Sequence, residues 1–266
     1  MHLAAAHIAI KKDQDRSLCV AQEQYRLVAL CDGIGEFKDS GKVADLLIAA
    51  LDADKPENRN EMEASMRTAQ EGVKIEGLIG GTTLLCCYQC GRHANDEVTI
   101  NHLGNGAVLH LAGDFHERGP SQVPYRLRHV VLPHVDEHGV LVRHVSHNSK
   151  APELALSETT LRLNAPNGDI LLLLTDGIAT LEEEMVVSDP SGTLWRLQPN
   201  ALQLILEKLH AFLANAHDHT AMESALAPFA ATTLQGLKEG GMLEDDASLG
   251  IVITDAVLAY YRNSRS

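Results

Sequence analysis

The chain has 266 residues, 45% of them hydrophobic and 22% charged, which is enough to bury a substantial core. Its formal net charge of −14 excludes a binder of nucleic-acid backbones, which needs a basic face, and no apolar run is long enough to cross a bilayer. The cysteine count is odd, at five, and the lysines of MHLAAAHIAIKK follow its apolar stretch, so the expectation is a cytoplasmic protein with reduced thiols rather than a secreted disulfide scaffold.

In chain order, SLCVAQEQYRLVALCD sets two apolar runs around a polar AQEQ and predicts a hairpin whose second strand is Arg26–Cys31. The glycine-rich DGIGEFKDSGK that follows is a loop. Val43, Leu46, Leu47, Ala50 and Leu51 recur at helical spacing, and a second helix is predicted from Asn58 to about Val73. TTLLCCYQC, EVTINHLG and AVLHLAG are three strand-like runs in close succession. Between Asp114 and Asn167 the pattern is broken: YRLRHVVLP and VLVRHVS read as interrupted strands. GDILLLLTD is a buried strand, LEEEM an acidic turn, and Glu182–Asn200 an acidic insertion that could shape an entrance. Asn200 can cap a helix to about Ala216, another runs from Met222 to Leu237, and SLGIVITDAVLAYY closes the chain as one or two strands. Strands and helices come in blocks instead of alternating, which implies an α+β arrangement over a single domain, residues 1–266.

The chemistry concentrates in aspartates at strand ends and tight turns: Asp15 in KKDQDR, Asp32 in CDGIG, Asp176 in TDGIA, and Asp245 with Asp246 in LEDDAS. A carboxylate directly after a buried strand stands at the sheet edge, and a neighbouring glycine lets backbone approach closely. Carboxylates brought together raise one another's pKa unless a cation neutralises them, and hard divalent cations take oxygen ligands. A single Asp-Gly is more often a turn than a ligand. Several in one chain point to a carboxylate metal site.

Taken in order, these motifs resemble the type-2C (PPM) metal-dependent Ser/Thr protein phosphatases, in their bacterial form. Gln14-Asp15 matches the family's N-terminal acidic motif, Asp32-Gly33-Ile34-Gly35 its Asp-Gly-x-Gly, and Gly81-Thr82-Thr83 its Gly-Ser/Thr-Thr. Gly104-Asn105-Gly106 stands where the family has Gly-Asp-Ser, GDILLLLTDG ends in the family's Thr-Asp-Gly at Asp176-Gly177, and Asp245-Asp246-Ala247-Ser248 matches Asp-Asn-x-Thr. The resemblance implies a four-layer sandwich of two central antiparallel β-sheets flanked by α-helices. It implies two Mn²⁺ or Mg²⁺ ions held by Asp32, the Gly33 carbonyl, Asp176 and Asp245, with Asp15 orienting water. It further implies hydrolysis of phosphoserine and phosphothreonine monoesters by metal-activated water, with a phosphorylated protein as substrate and a cognate Ser/Thr kinase system as partner. A histidine is the natural general acid, and His7 is the candidate near the N-terminal motif.

Two departures matter. Ile10 stands where the family carries a phosphate-binding Arg, which leaves Lys11 and Lys12 as substitute point charges without bidentate geometry. Asn105 replaces an Asp that can hold an additional metal. Both departures keep a second reading open, a phosphatase-fold regulatory or binding module with weakened catalysis; a hydrolase of small phosphoesters is a third. Cys87-x-x-Cys90 lies within a strand, where its two side chains point to opposite faces, so buried structural thiols are expected instead of a zinc or redox pair.

Overall fold

The computed structural model describes residues 1–91, 97–112, 126–178, 182–188, 194–196, 199–215 and 219–263. A seven-stranded sheet contains, in spatial order, β1 (His2–Ile8), β14 (Ala247–Ile253), β11 (Asp169–Leu174), β7 (Ala107–Ala112), β8 (Arg126–His129), β12 (Glu182–Ser188) and β13 (Leu194–Arg196). A five-stranded sheet runs β10 (Ser157–Arg162), β6 (Glu97–Leu103), β5 (Leu84–Cys90), β3 (Tyr25–Cys31) and β2 (Arg16–Ala21). A two-residue pair, β4 (Gly81–Thr82) with β9 (Val145–Ser146), stands apart. Neighbours are antiparallel throughout except for β12, which meets β8 parallel.

The side-chain period of two sorts each central strand between two cores. Along β11, Ile170, Leu172 and Leu174 face a core shared with α3 (Pro199–Asn215), α4 (His219–Glu239) and α5 (Asp255–Asn263), while Leu171 and Leu173 face the other sheet. Along β3, Leu27, Ala29 and Cys31 pack under α1 (Ser40–Asp54) and α2 (Arg59–Ile75), while Val28 and Leu30 fill the space between the sheets. The layers are therefore helix, sheet, sheet, helix, the expected α+β sandwich. The uninterrupted LLLL of β11 follows from burial on both faces, and all six residues of that strand are buried.

The helices start where their caps permit. Asn58 accepts the Glu61 N–H, and the Glu61 carboxylate returns to the Glu57 N–H, closing the first turn of α2. Lys55 ends α1 in the left-handed region, at φ 47°, with its N–H on the Leu51 carbonyl.

Several expectations need correction. DAVLAYY is helical, because Val257, Leu258 and Tyr261 fall on one buried face, and Asp255 stands in the first turn beside the positive helix end. LEEEM is largely strand: β12 begins at Glu182 and pairs with both β8 and β13. The predicted VLVRHVS strand shrinks to Val145–Ser146, while the unforeseen β1 and β10 line sheet edges. α3 begins at Pro199, so Asn200 lies within the helix rather than at its cap. The Cys87 thiol is buried between the sheets, and Cys90 packs on the α1–α2 side, as strand alternation requires. Among the described residues no helix is long and apolar enough to cross a membrane.

Candidate active site

Three of the aspartates converge where the two sheets meet at one end. Asp32 follows β3 of the five-stranded sheet, Asp15 precedes β2 of the same sheet, and Asp176 stands two residues beyond β11 of the seven-stranded sheet. Asp32 lies close enough to both of the others for their carboxylates to act on one another.

Each carboxylate is held by its surroundings. Asp15 is buried, and its Oδ2 accepts the hydroxyls of Thr175 and Ser248, each at 2.9 Å. Those hydroxyls belong to the opposite sheet, so Asp15 ties the two sheets together. Its Oδ1 is also buried and meets no donor among the described residues. The backbone of Asp32 is gripped by the Gly-Thr-Thr segment: its carbonyl accepts the Thr83 N–H at 2.8 Å and the Thr82 hydroxyl at 3.0 Å, and its N–H reaches the Thr83 hydroxyl at 3.2 Å. Asp176 Oδ2 accepts the Asn105 side-chain amide at 2.8 Å.

The glycines of the two Asp-Gly-Ile segments are required by close approach. A Cβ on Gly33 would lie 2.7 Å from Gln14 Cβ and 2.8 Å from the Gln14 carbonyl, and one on Gly177 would collide with the Asp246 carbonyl. The isoleucines anchor each loop: the Ile34 N–H bonds the Gly81 carbonyl, and Ile178 is buried in the helix-side core.

Electrostatically the cluster is strained. Burial, then the charges of Asp176 and Asp15, drives the Asp32 carboxyl well above the usual carboxylate range. Burial raises Asp15 to about 7, against the hydroxyls of Ser248 and Thr175, which favour the ionised form. A proton or a cation must neutralise such a group of carboxylates. The orphaned Asp15 Oδ1 and an all-oxygen donor set fit a hard divalent ion on chemical grounds. As the side chains stand, no three His, Cys, Asp or Glu groups among the described residues enclose a metal-sized site.

The remaining predicted site residues lie differently. Asp245 is 54% exposed and paired with Lys11 Nζ at 3.3 Å, although its backbone runs beside Gly177. Lys12 Nζ bonds the Gly35 carbonyl. Asp246, in place of the family's Asn, is buried and accepts the backbone N–H groups of Ile10 (2.7 Å), Lys11 (2.8 Å), Lys12 (3.3 Å) and Gln14 (2.7 Å). It thus fixes the loop that presents Asp15. Burial alone would raise its pKa, but these amides hold it below the ordinary value. Ile10 packs against the helix-side core, which accounts for an apolar residue there. His7 lies opposite Ser248 in the β1–β14 register and contacts the Ser17 hydroxyl at 2.9 Å, and burial followed by Arg16 lowers its pKa.

Sequence reasoning missed Thr175, Ser248 and the backbone grip of Thr82 and Thr83. Their one signal was the hydroxyl residues of the motifs themselves, in LTDG, DDAS and GGTT.

No protein-family profile and no curated protein sequence matches the chain. Solved structures do. The Mycobacterium tuberculosis serine/threonine phosphatase PstP aligns with a TM-score of 0.58 at 18% identity, covering 94% of this chain and 97% of that one. The PPM Ser-Thr phosphatase MsPP of Mycobacterium smegmatis, solved with cacodylate, gives 0.58 at 15% identity over 95% and 97%. The PstP catalytic domain in complex with two manganese ions gives 0.56 at 18% identity over 96% and 98%. At these identities the likeness is one of fold: the chain has the PPM phosphatase fold along most of its length.

Proposed function

We propose that this chain is a metal-dependent phosphoprotein phosphatase acting on phosphoserine and phosphothreonine. The observation that carries the reading is the Asp15–Asp32–Asp176 cluster at the meeting of the two sheet edges, within a fold shared with Ser/Thr phosphatases. Asp32, the Gly33 carbonyl and Asp176 would hold divalent cations, with Asp245 joining them once it leaves Lys11. Mn²⁺ or Mg²⁺ bound there supplies charge neutralisation and activation of water for in-line attack on phosphorus.

The chain's own residues have definite tasks in this reading. Asp15 offers its buried Oδ1 as a proton acceptor, while Thr175 and Ser248 keep its Oδ2 fixed. Thr82 and Thr83 keep Asp32 from retreating into the sheet. Lys11 and Lys12 are the cations on the loop beside the cluster and attract the substrate phosphate; drawing Lys11 toward phosphate also releases Asp245. The substrate is a phosphorylated protein made by a Ser/Thr kinase, and the protein works in the cytoplasm.

One observation supports a second reading, a module of the same fold with weak catalysis: the Lys11–Asp245 ion pair engages a carboxylate that a metal would need. Hydrolysis of p-nitrophenyl phosphate and of a phosphothreonine peptide, with Mn²⁺ and with EDTA, separates the two. Mn²⁺-dependent phosphate release from the peptide supports the phosphatase. Calorimetric Mn²⁺ binding with no release from either substrate establishes the module instead.

A further inference from the structure

Asn105 reaches Asp176 only because the turn that carries it is fixed from behind. Gly104 sits at φ +132°, and a Cβ there would lie 2.5 Å from Thr83 Cβ, so its backbone rests directly on the residue that grips Asp32. Both polar backbone groups of Gly104 then go to one residue. Its carbonyl accepts the His134 N–H at 2.8 Å, and its own N–H donates to His134 Nδ1 at 3.1 Å.

The two ring nitrogens of His134 meet different partners. Nδ1 accepts the Gly104 N–H, which can only donate, and Nε2 lies 2.8 Å from the Ser157 hydroxyl. Arg143 Nη1 also lies within hydrogen-bond distance of Nε2, at 3.1 Å, and donates to the Ala155 carbonyl at 3.2 Å and the Ser157 hydroxyl at 3.4 Å. The ring is buried and stacked on His102, with centroids 4.1 Å apart and planes 13° from parallel. Burial, then His102 and Arg143, lowers the His134 pKa to about 3, which keeps Nδ1 an acceptor across the physiological range.

We propose that His134 is a positioning residue of the aspartate cluster: its neutral Nδ1 holds the Gly104 amide, which delivers the Asn105 amide to Asp176 and seats Gly104 against Thr83 behind Asp32. Among the described residues His134 contacts no aspartate of the cluster, and it acts through the turn. The activity readout rests on the phosphatase reading; the structural readout does not.

The two amide side chains separate the ring nitrogens, since an Asn oxygen sits near the place of Nδ1 and a Gln oxygen near that of Nε2. His134→Asn and His134→Gln are compared with the wild-type protein by amide hydrogen exchange at Gly104 and by Mn²⁺-dependent kcat and KM on p-nitrophenyl phosphate. The expected result is that the Gln variant loses Gly104 protection and drops in kcat by about 10- to 100-fold, the range for lost supporting contacts, with KM within about two-fold. The Asn variant keeps both. A Gln variant with wild-type Gly104 exchange, or with wild-type kcat, overturns the proposal. Absence of Mn²⁺-dependent turnover in the wild-type protein would refute the phosphatase reading alone, and the Gly104 exchange would still decide the role of His134.

Discussion

Replacing Asp15 by Asn should stabilise the metal-free protein, by more the further the pH rises above about 4. Burial raises the Asp15 carboxyl from 3.8 to about 7, so the folded state binds a proton there that the unfolded chain has already lost. With the folded pKa above the unfolded value, this group's stabilisation is complete below about pH 4 and is lost as pH rises through about 7. Forcing ionisation across that interval corresponds to ~4 kcal/mol. Part of the load is shared with the Asp32 proton, so the expected gain for Asp15→Asn at pH 8 is ~2–4 kcal/mol. The amide is well suited to the site: its oxygen can accept the Thr175 and Ser248 hydroxyls, and its NH₂ takes the place of the orphaned Oδ1. For a chain of this size the gain translates into a melting temperature higher by roughly 5–12 °C. Thermal melts in EDTA at pH 5 and pH 8 test it. The variant should gain most at pH 8 and roughly 40% of that at pH 5, where Asp15 is neutral in the folded protein but already ionised in the unfolded chain. A lower melting temperature at pH 8, or an equal gain at both values, refutes the reasoning.

Asp32→Asn should abolish Mn²⁺-dependent turnover of p-nitrophenyl phosphate while circular dichroism stays unchanged; surviving turnover would show that Asp32 holds no essential ion. Asp246→Ala strands four backbone N–H groups beside the buried end of the loop, at a cost of ~3 kcal/mol in urea denaturation. Because its folded pKa is depressed, the Asp246 contribution is present above about pH 4 and fades on acidification, opposite in sign to Asp15, so wild type and variant should converge in acid. Gly104→Ala introduces a Cβ against Thr83 at a positive φ and should lower stability by ~2 kcal/mol or more, measured in the same denaturation series.

The sandwich was largely legible because its strongest signals are local. The runs of β3 and β11 announce burial, and their strand period fixes which residues face which core. The helical spacing of α1 and α2 and the Asn58 cap are likewise properties of a few neighbouring residues. Where local signals were weak, between 126 and 162 and at the last helix, the expectation failed. An apolar stretch such as AVLAYY suits a strand or a helix, and packing against the sheet chose the helix.

For the site, the sequence alone determined that Asp15, Asp32, Asp176 and the 245–246 pair flank strands, and that Gly33 and Gly177 adjoin two of them. Only the tertiary structure decided their partners. Asp15 is satisfied by hydroxyls 160 and 233 residues away, Asp246 by the amides of a loop more than 230 residues before it, and Asp245 faces Lys11 in place of the cluster. The physical reason is that sequence patterns report which face of an element is buried, whereas the field at a carboxylate depends on which strand ends the sheets bring side by side.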